Sequence, residues 1–214
     1  MNIQYTLAHG GKNSFIIIEK KQNNKQFFTQ KNIQKICSYS KINVDALLLI
    51  SKQTQLGLQL DYYNRDGSWA SFCANGSRCV GLYYYQKTNL KQFIINAGDG
   101  PHNIIIENKK IKLQMNKPKY KKKNIHVDNF VGNWINSGAE HFVIESNNLN
   151  HDFILNTGKK LRFHQIFNPH GINVNFYKKN SNNSITVITY EKGVEKIMNS
   201  CGSGSTAAAF HAYQ

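Results

Sequence analysis

Two segments of the chain have residue types and spacing suited to chemistry, and they resemble one device used twice. The first is Cys73-Ala74-Asn75-Gly76-Ser77-Arg78-Cys79 and the second is Cys201-Gly202-Ser203-Gly204-Ser205-Thr206. Each places a cysteine, then a small polar turn, before a helix-like run, at residues 80–85 and 207–212. A helix N-terminus offers unpaired N–H groups and a partial positive charge, which binds carboxylates and lowers the pKa of a nearby thiol. Two such ends around an amino acid's carboxylate would place one sulfur on each side of its α-carbon. That arrangement fits inversion of a stereocentre, because a proton must leave one face and another must arrive on the opposite face. A thiol with a reference pKa of ~8.5 allows one member to be thiolate while the other is thiol.

Other uses of these residues have weaker signals. A lone Cys73 reads most simply as a buried structural cysteine; the matching turn at Cys201 is what shifts the balance. The segment Gly202–Thr206 lacks the Lys-Ser/Thr ending of a phosphate-binding loop. A cysteine hydrolase using His141, His164 or His170 has no local signature, and the Cys73–Cys79 spacing is not a CxxC redox pair. With scattered histidines and no CxxC pair, no metal is expected. No pyridoxal-lysine motif is evident, so no cofactor is expected either, and carbanion stabilisation falls to the helix ends.

The elements that must position these cysteines read as α+β, with many short strands and one helix per half. Strands are expected over residues 3–7, 14–18, 45–50, 56–63, 93–95, 103–107 and 110–115, with a helix at 31–38 and a tight turn at Asn108-Lys109. The second half gives strands at 131–137, 141–144, 171–176 and 184–190. The basic run 117–123 reads as a solvated linker, dividing the chain into halves 1–116 and 117–214. The 214 residues carry a formal charge of +15. That excess is almost all lysine, since arginine occurs only at 65, 78 and 162, so it does not read as a nucleic-acid site. No signal peptide and no run near the ~18 apolar residues of a membrane span is seen. The expectation is a cytoplasmic protein acting on a small molecule, without nucleic-acid or membrane partners.

The ordered motifs resemble the diaminopimelate epimerase family from one end of the chain to the other. His9-Gly10-Gly11-Lys12-Asn13-Ser14-Phe15 is similar to the family's HGxGNDF, and Asn64-Arg65-Asp66-Gly67-Ser68 to its FNADGS turn. Cys73–Cys79 resembles CGNGARC, and 171–176 resembles GTNVNF. Tyr190-Glu191-Lys192-Gly193-Val194-Glu195 followed by Cys201-Gly202-Ser203-Gly204 resembles YERGVE…CGTG. The resemblance implies two similar halves, each a β-barrel-like sheet around a central helix, with the active site between them. It implies Cys73 and Cys201 as exchanging base and acid. It implies substrate contacts from Asn13, Asn64, Ala74, Asn75, Asn173, Glu191, Lys192, Gly202 and Ser203, with His141 in support. A homodimer is allowed by it. A proline racemase-like enzyme is the runner-up, and a basic binding protein that has lost catalysis is a third reading.

Several positions depart from the family pattern. Ala74 stands where the family has Gly, and a left-handed backbone there would cost about 1 kcal/mol or more. Lys192 replaces an Arg, keeping the charge but losing the bidentate fork, so weaker substrate binding is expected. Ala139 replaces a polar contact, Glu140 replaces the Pro before His141, and residues 42–45 replace a glycine-rich segment. The chain ends at Gln214, in the helix after Cys201, where family members continue; a C-terminally shortened second half is the expectation.

Overall fold

The computed structural model describes residues 3–20, 26–39, 41–54, 56–108, 110–198 and 200–214. Lys109, half of the turn expected at Asn108-Lys109, lies outside the described residues. Two compact units divide the chain, Met1–Asn116 and Lys117–Gln214.

In the first unit, β1 (Thr6–Gly10) and β2 (Asn13–Glu19) form a hairpin. α1 (Gln30–Ser38) then crosses over, and β3 (Ala46–Thr54) returns parallel to β2. β4 (Gly57–Asn64) runs antiparallel to β3, and β5 (Trp69–Ala70) folds back on β4. α2 (Ala74–Thr88) follows. β6 (Gln92–Ala97), β7 (Gly100–Glu107) and β8 (Lys110–Leu113) extend the sheet to the order β1-β2-β3-β4-β6-β7-β8. α2 packs against β1 and β2 at one end of that order and β7 and β8 at the other, so the sheet curls around it.

The alternation of strand side chains explains why β2 and β3 are apolar almost throughout. Phe15, Ile17, Leu48 and Ile50 pack with Val80 and Tyr84 of α2. Their neighbours Ile16, Ile18, Leu47 and Leu49 face the other way and pack with Ile33 and Cys37 of α1. A strand covered on both faces has no solvent side to make polar.

The second unit repeats this plan. β9 (Lys119–Val127) pairs β10 (Phe130–Asn136), which forms a hairpin with β11 (Glu140–Glu145). α3 (His151–Arg162) crosses over, β12 (Asn173–Ser181) returns parallel to β11, and β13 (Ser184–Glu191) and β14 (Lys196–Met198) continue antiparallel. α4 (Gly202–Ala212) follows. Phe142, Ile144, Val174 and Phe176 pack on the α3 side, and Val143 and Tyr177 on the α4 side. Hairpin, crossover helix, parallel return, two antiparallel strands and a buried helix thus occur in the same order twice.

Four expectations need correction. Each unit has two α-helices among the described residues, not one. α1 matches the helix expected at 31–38, whereas α3 has no counterpart among the elements expected from the sequence; it is capped by the Asn150 side chain, which accepts from the Asp152 N–H, and buries Ile154 and Leu161. The run 117–123 is not a linker beyond its first two residues; from Lys119 it is the edge strand β9, where exposed lysines are tolerated and deter edge-to-edge pairing. Lys123 also lies over the Tyr120 ring, 4.3 Å from its centroid. The first strand starts at Thr6, not Ile3, and runs to Gly10, because a two-residue turn at Gly11-Lys12 suffices to reverse the chain. Both turn residues have positive φ, 59° and 66°, as a twist-matched hairpin loop requires.

The fourth correction concerns the cysteine segments. No small polar turn separates either cysteine from its helix. Cys73 and Cys201 are themselves the N-caps, with extended backbones, and α2 and α4 begin at the next residue. Ala74 is therefore in the first helical turn, outside the positive-φ residues, and the left-handed penalty expected for it does not arise.

Candidate active site

Helix N-caps are normally Ser, Thr, Asp or Asn, whose oxygen accepts an N–H of the first turn. Here sulfur takes that place twice. The Gly76 N–H donates to Cys73 Sγ at 3.4 Å, and the Gly204 N–H donates to Cys201 Sγ at 3.4 Å. A thiolate accepts such a bond better than a thiol, so both caps favour ionisation. At Cys201 burial outweighs this. Desolvation, joined by the nearby Glu191 carboxylate, pushes the thiol up to about 11, against lowering by bonds from Ser203, Gly204 and Thr189. The helix end does lower the Cys201 thiol through the Gly204 N–H, but burial more than cancels it.

In the first unit the predicted residues Asn13, Ala74 and Asn75 gather around the Cys73 cap. Asn75 Nδ2 donates to Asn13 Oδ1 at 3.0 Å, and Arg78 donates to Asn75 Oδ1 at 2.6 Å. Asn13 and Asn75 are buried, so this tether fixes both amides in one orientation. Gly11 permits the approach: a Cβ there would lie 2.3 Å from Asn75 Nδ2. Asn64 ends β4 and is held by its own turn, donating to Ser68 Oγ at 3.0 Å.

Beside this cluster, Phe72 stacks on His102 with ring centroids 4.2 Å apart. His102 Nε2 meets Asp99 Oδ1 at 2.8 Å, and Nδ1 meets the Gln114 carbonyl at 3.0 Å. Both partners only accept, so the site favours the imidazolium, in which both ring nitrogens donate. Burial opposes that charge, but the bonds to Asp99 and Gln114 outweigh it and raise the pKa above the ordinary histidine value. A raised folded-state pKa gives stability that is fully present below the unfolded value of ~6.5 and is lost as pH rises through the folded value. Urea unfolding is expected to show the midpoint falling as pH rises through that window, and His102→Gln is expected to remove most of the decline.

In the second unit the predicted residues form two groups. Asn173 Nδ2 donates to the Glu140 carbonyl at 3.0 Å, while its Oδ1 accepts the Lys192 N–H at 2.9 Å, which fixes the Glu191-Lys192 turn. The turn is also fixed through Glu195, which bonds the Gly193 N–H at 2.9 Å and pairs with the Arg162 guanidinium at 3.0 Å. Burial lowers the Lys192 pKa, as does the Arg162 charge, against raising by Glu140 and Glu195. The second group surrounds Cys201. Ser203 Oγ lies 3.6 Å from the sulfur and 3.0 Å from His141 Nε2, and the Ser203 carbonyl accepts from Ser137 at 2.7 Å. His141 is fully buried, which holds its pKa down at about 4, so the ring is neutral near neutral pH.

Three polar residues in this second group were not singled out from the sequence: Ser137, Asn175 and Thr189. All are buried at 3% exposure or less. Thr189 follows Ile185 and Val187 on one face of β13, which is the signal available for it in the sequence; Asn175, between Asn173 and Tyr177 on its face of β12, carries none.

The diaminopimelate epimerase family model matches residues 5–121, more than half of the chain. The chain belongs to the diaminopimelate epimerase family. Among relatives that bear this name, the protein of Aquifex aeolicus is 30% identical, over 99% of this chain and 81% of its own length. That of Flavobacterium psychrophilum is 36% identical, over 94% of this chain and 77% of its own. A hydroxyproline epimerase from Agrobacterium vitis, solved with bound trans-4-hydroxy-L-proline, shares the fold with a TM-score of 0.73 at 11% identity, covering 98% of this chain and 77% of that one. The α+β plan of curled sheets is therefore shared with that hydroxyproline epimerase. Among the described residues, no helix is long and apolar enough to cross a membrane, and no three His, Cys, Asp or Glu side chains form a metal-binding group.

Proposed function

We propose that this chain interconverts L,L- and meso-2,6-diaminopimelate by direct proton transfer at the α-carbon, with Cys73 and Cys201 as the two acid–base groups. The carrying observation is the repeated cysteine N-cap: each unit ends its buried-helix loop on a sulfur that accepts the third N–H of the helix. The thiolate of one cysteine removes the α-proton, the thiol of the other supplies a proton to the opposite face, and the roles exchange in reverse. The pKa of about 11 supports Cys201 as the proton-holding member in the substrate-free protein. N–H groups of both helix starts, including those of Ala74, Asn75, Gly202 and Ser203, meet the reacting carboxylate and its developing charge. Asn13, Asn64 and Asn173 orient the substrate, and His141 supports Ser203. No cofactor enters this scheme.

Glu191 and Lys192 are assigned to the distal ammonium and carboxylate of the substrate. The desolvated Lys192 ammonium, repelled by Arg162, supports this, because a carboxylate would relieve both penalties. Losing one charge-assisted contact costs about 2 kcal/mol, or roughly thirtyfold in kcat/KM. Lys192→Met is therefore expected to lower kcat/KM on diaminopimelate by about that factor. Proline has no distal charged group; a Lys192→Met chain with unchanged diaminopimelate kinetics and wild-type turnover of proline would overturn the substrate assignment. The reading places the enzyme in the cytoplasm, in lysine and peptidoglycan precursor synthesis, without nucleic-acid partners, and allows a homodimer.

A further inference from the structure

We propose that Thr189 and Asn175 are positioning residues for Cys201: through a neutral His141 and Ser203 they fix the direction of the hydrogen bonds around the sulfur, so that thiol and thiolate each find a partner. The inference rests on the assignment of Cys201 as an acid–base group. Its basis is a series of buried contacts on β11, β12, β13 and α4. His141 Nδ1 meets Asn175 Oδ1 at 2.7 Å, and Asn175 Nδ2 meets Thr189 Oγ at 2.6 Å. Thr189 Oγ stands beside the first turn of α4, 3.0 Å from where a Cβ on Gly204 would lie, and its hydroxyl lowers the Cys201 thiol pKa. At the other end, His141 Nε2 meets Ser203 Oγ at 3.0 Å, and that oxygen lies 3.6 Å from the same sulfur. The contacts run from Cys201 through Ser203, His141 and Asn175 to Thr189, four buried side chains in series.

Direction follows from what each group can donate. An amide has one accepting and one donating end, so Asn175 cannot present the same role to His141 and Thr189. With Oδ1 toward His141, the ring carries its proton on Nδ1 and leaves Nε2 as an acceptor. Ser203 must then donate to Nε2, which leaves its oxygen lone pairs for the Cys201 S–H. On the opposite side, Asn175 Nδ2 donates to Thr189 Oγ, so the Thr189 proton is free to point at sulfur. The thiol is then met by an acceptor in Ser203. The thiolate is met by two donors, the Thr189 hydroxyl and the Gly204 N–H. Both donors are in place before the proton leaves, and only the Ser203 hydroxyl has to turn, from His141 to the sulfur, to stabilise the thiolate as well.

Reversing Asn175 would reverse every bond: His141 would carry its proton on Nε2, and Thr189 would turn its hydroxyl to the amide and away from sulfur. Two experiments separate these cases, and neither uses substrate, so a chain that fails to epimerise still decides the network. In the wild type, 15N NMR of His141 is expected to show a neutral ring protonated on Nδ1 near neutral pH; an Nε2-protonated ring or an imidazolium overturns the proposal. In iodoacetamide labelling of Cys201 at mildly alkaline pH, followed by peptide mass, Thr189→Val is expected to slow labelling about tenfold and Thr189→Ser to restore it. Asn175→Asp is expected to slow it similarly, because a carboxylate would accept the Thr189 hydroxyl proton. Labelling rates unchanged across folded Thr189→Val and Asn175→Asp variants overturn the proposal. Should those variants fail to fold, the wild-type NMR result decides alone.

Discussion

Cys73→Ala and Cys201→Ala are each expected to lower the rate of diaminopimelate epimerisation by roughly a thousandfold, the scale of a lost general acid or base. The effect follows from stereochemistry: with one thiol gone, no group remains to act on one face of the α-carbon. Melting is expected to change little by comparison. Each sulfur caps one helix through a 3.4 Å bond, and losing an N-cap costs about 1 kcal/mol. Cys→Ser substitutions separate the two roles. Serine caps a helix well, so stability should return, yet its hydroxyl ionises far less readily than a thiol and turnover should stay low. Assays of kcat in both directions beside thermal melts check this; a Cys→Ala variant with near-native turnover contradicts the assignment of that cysteine.

Gly204→Ala is expected to destabilise the chain by about 3 kcal/mol and to suppress activity with it. Two effects of opposite sign compete. Alanine gains about 1 kcal/mol of helix propensity over glycine, and Gly204 sits in the first turn of α4 with no need for positive φ. Against that gain, its Cβ would lie 2.2 Å from Asn175 Nδ2 and 3.0 Å from Thr189 Oγ. Asn175 is wholly buried and bonded at both ends, so it cannot move aside without breaking polar contacts that have no water to replace them. The clash therefore wins. Gly76→Ala in α2 is the comparison: its Cβ would meet Leu48 Cδ2 at 2.8 Å, the free end of an apolar side chain. A methyl group can give way where an amide held at both ends cannot, so the smaller loss is expected there. Thermal denaturation of both variants measures the difference.

The parts of this molecule that were legible in the sequence are those written in residue type. The two cysteine segments, the His9–Phe15 motif and the Tyr190–Glu195 motif all carry small or charged residues that few other structures require. The apolar runs of β2 and β3 announced strands, and the alternation of Phe15 and Ile17 against Ile16 and Ile18 sorts them onto opposite faces. What was obscure depended on neighbours distant in the chain. The lysines of β9 look like a linker until β10 is seen beside them. α3 was missed although Asn150 caps it, because its apolar residues are few and Gly158 sits within it. That glycine is needed where the helix meets Tyr190: a Cβ there would lie 2.6 Å from the Tyr190 Cβ. Asn175 differs from Asn173 by one strand repeat, so both side chains point to the same side of β12. Asn173 holds the Lys192 turn and Asn175 the His141 ring, a distinction that only the register with β11 and β13 reveals.

The most direct test of two-base epimerisation is to run the reaction in D2O with L,L-diaminopimelate and to follow the α-position of substrate and product separately by NMR and mass spectrometry at low conversion. The account predicts deuterium at the inverted centre of the meso product from the first turnovers, while recovered L,L substrate keeps its protium. Deuterium appearing in recovered substrate as fast as in product would mean a single group acting on one face, and would contradict the assignment of separate roles to Cys73 and Cys201.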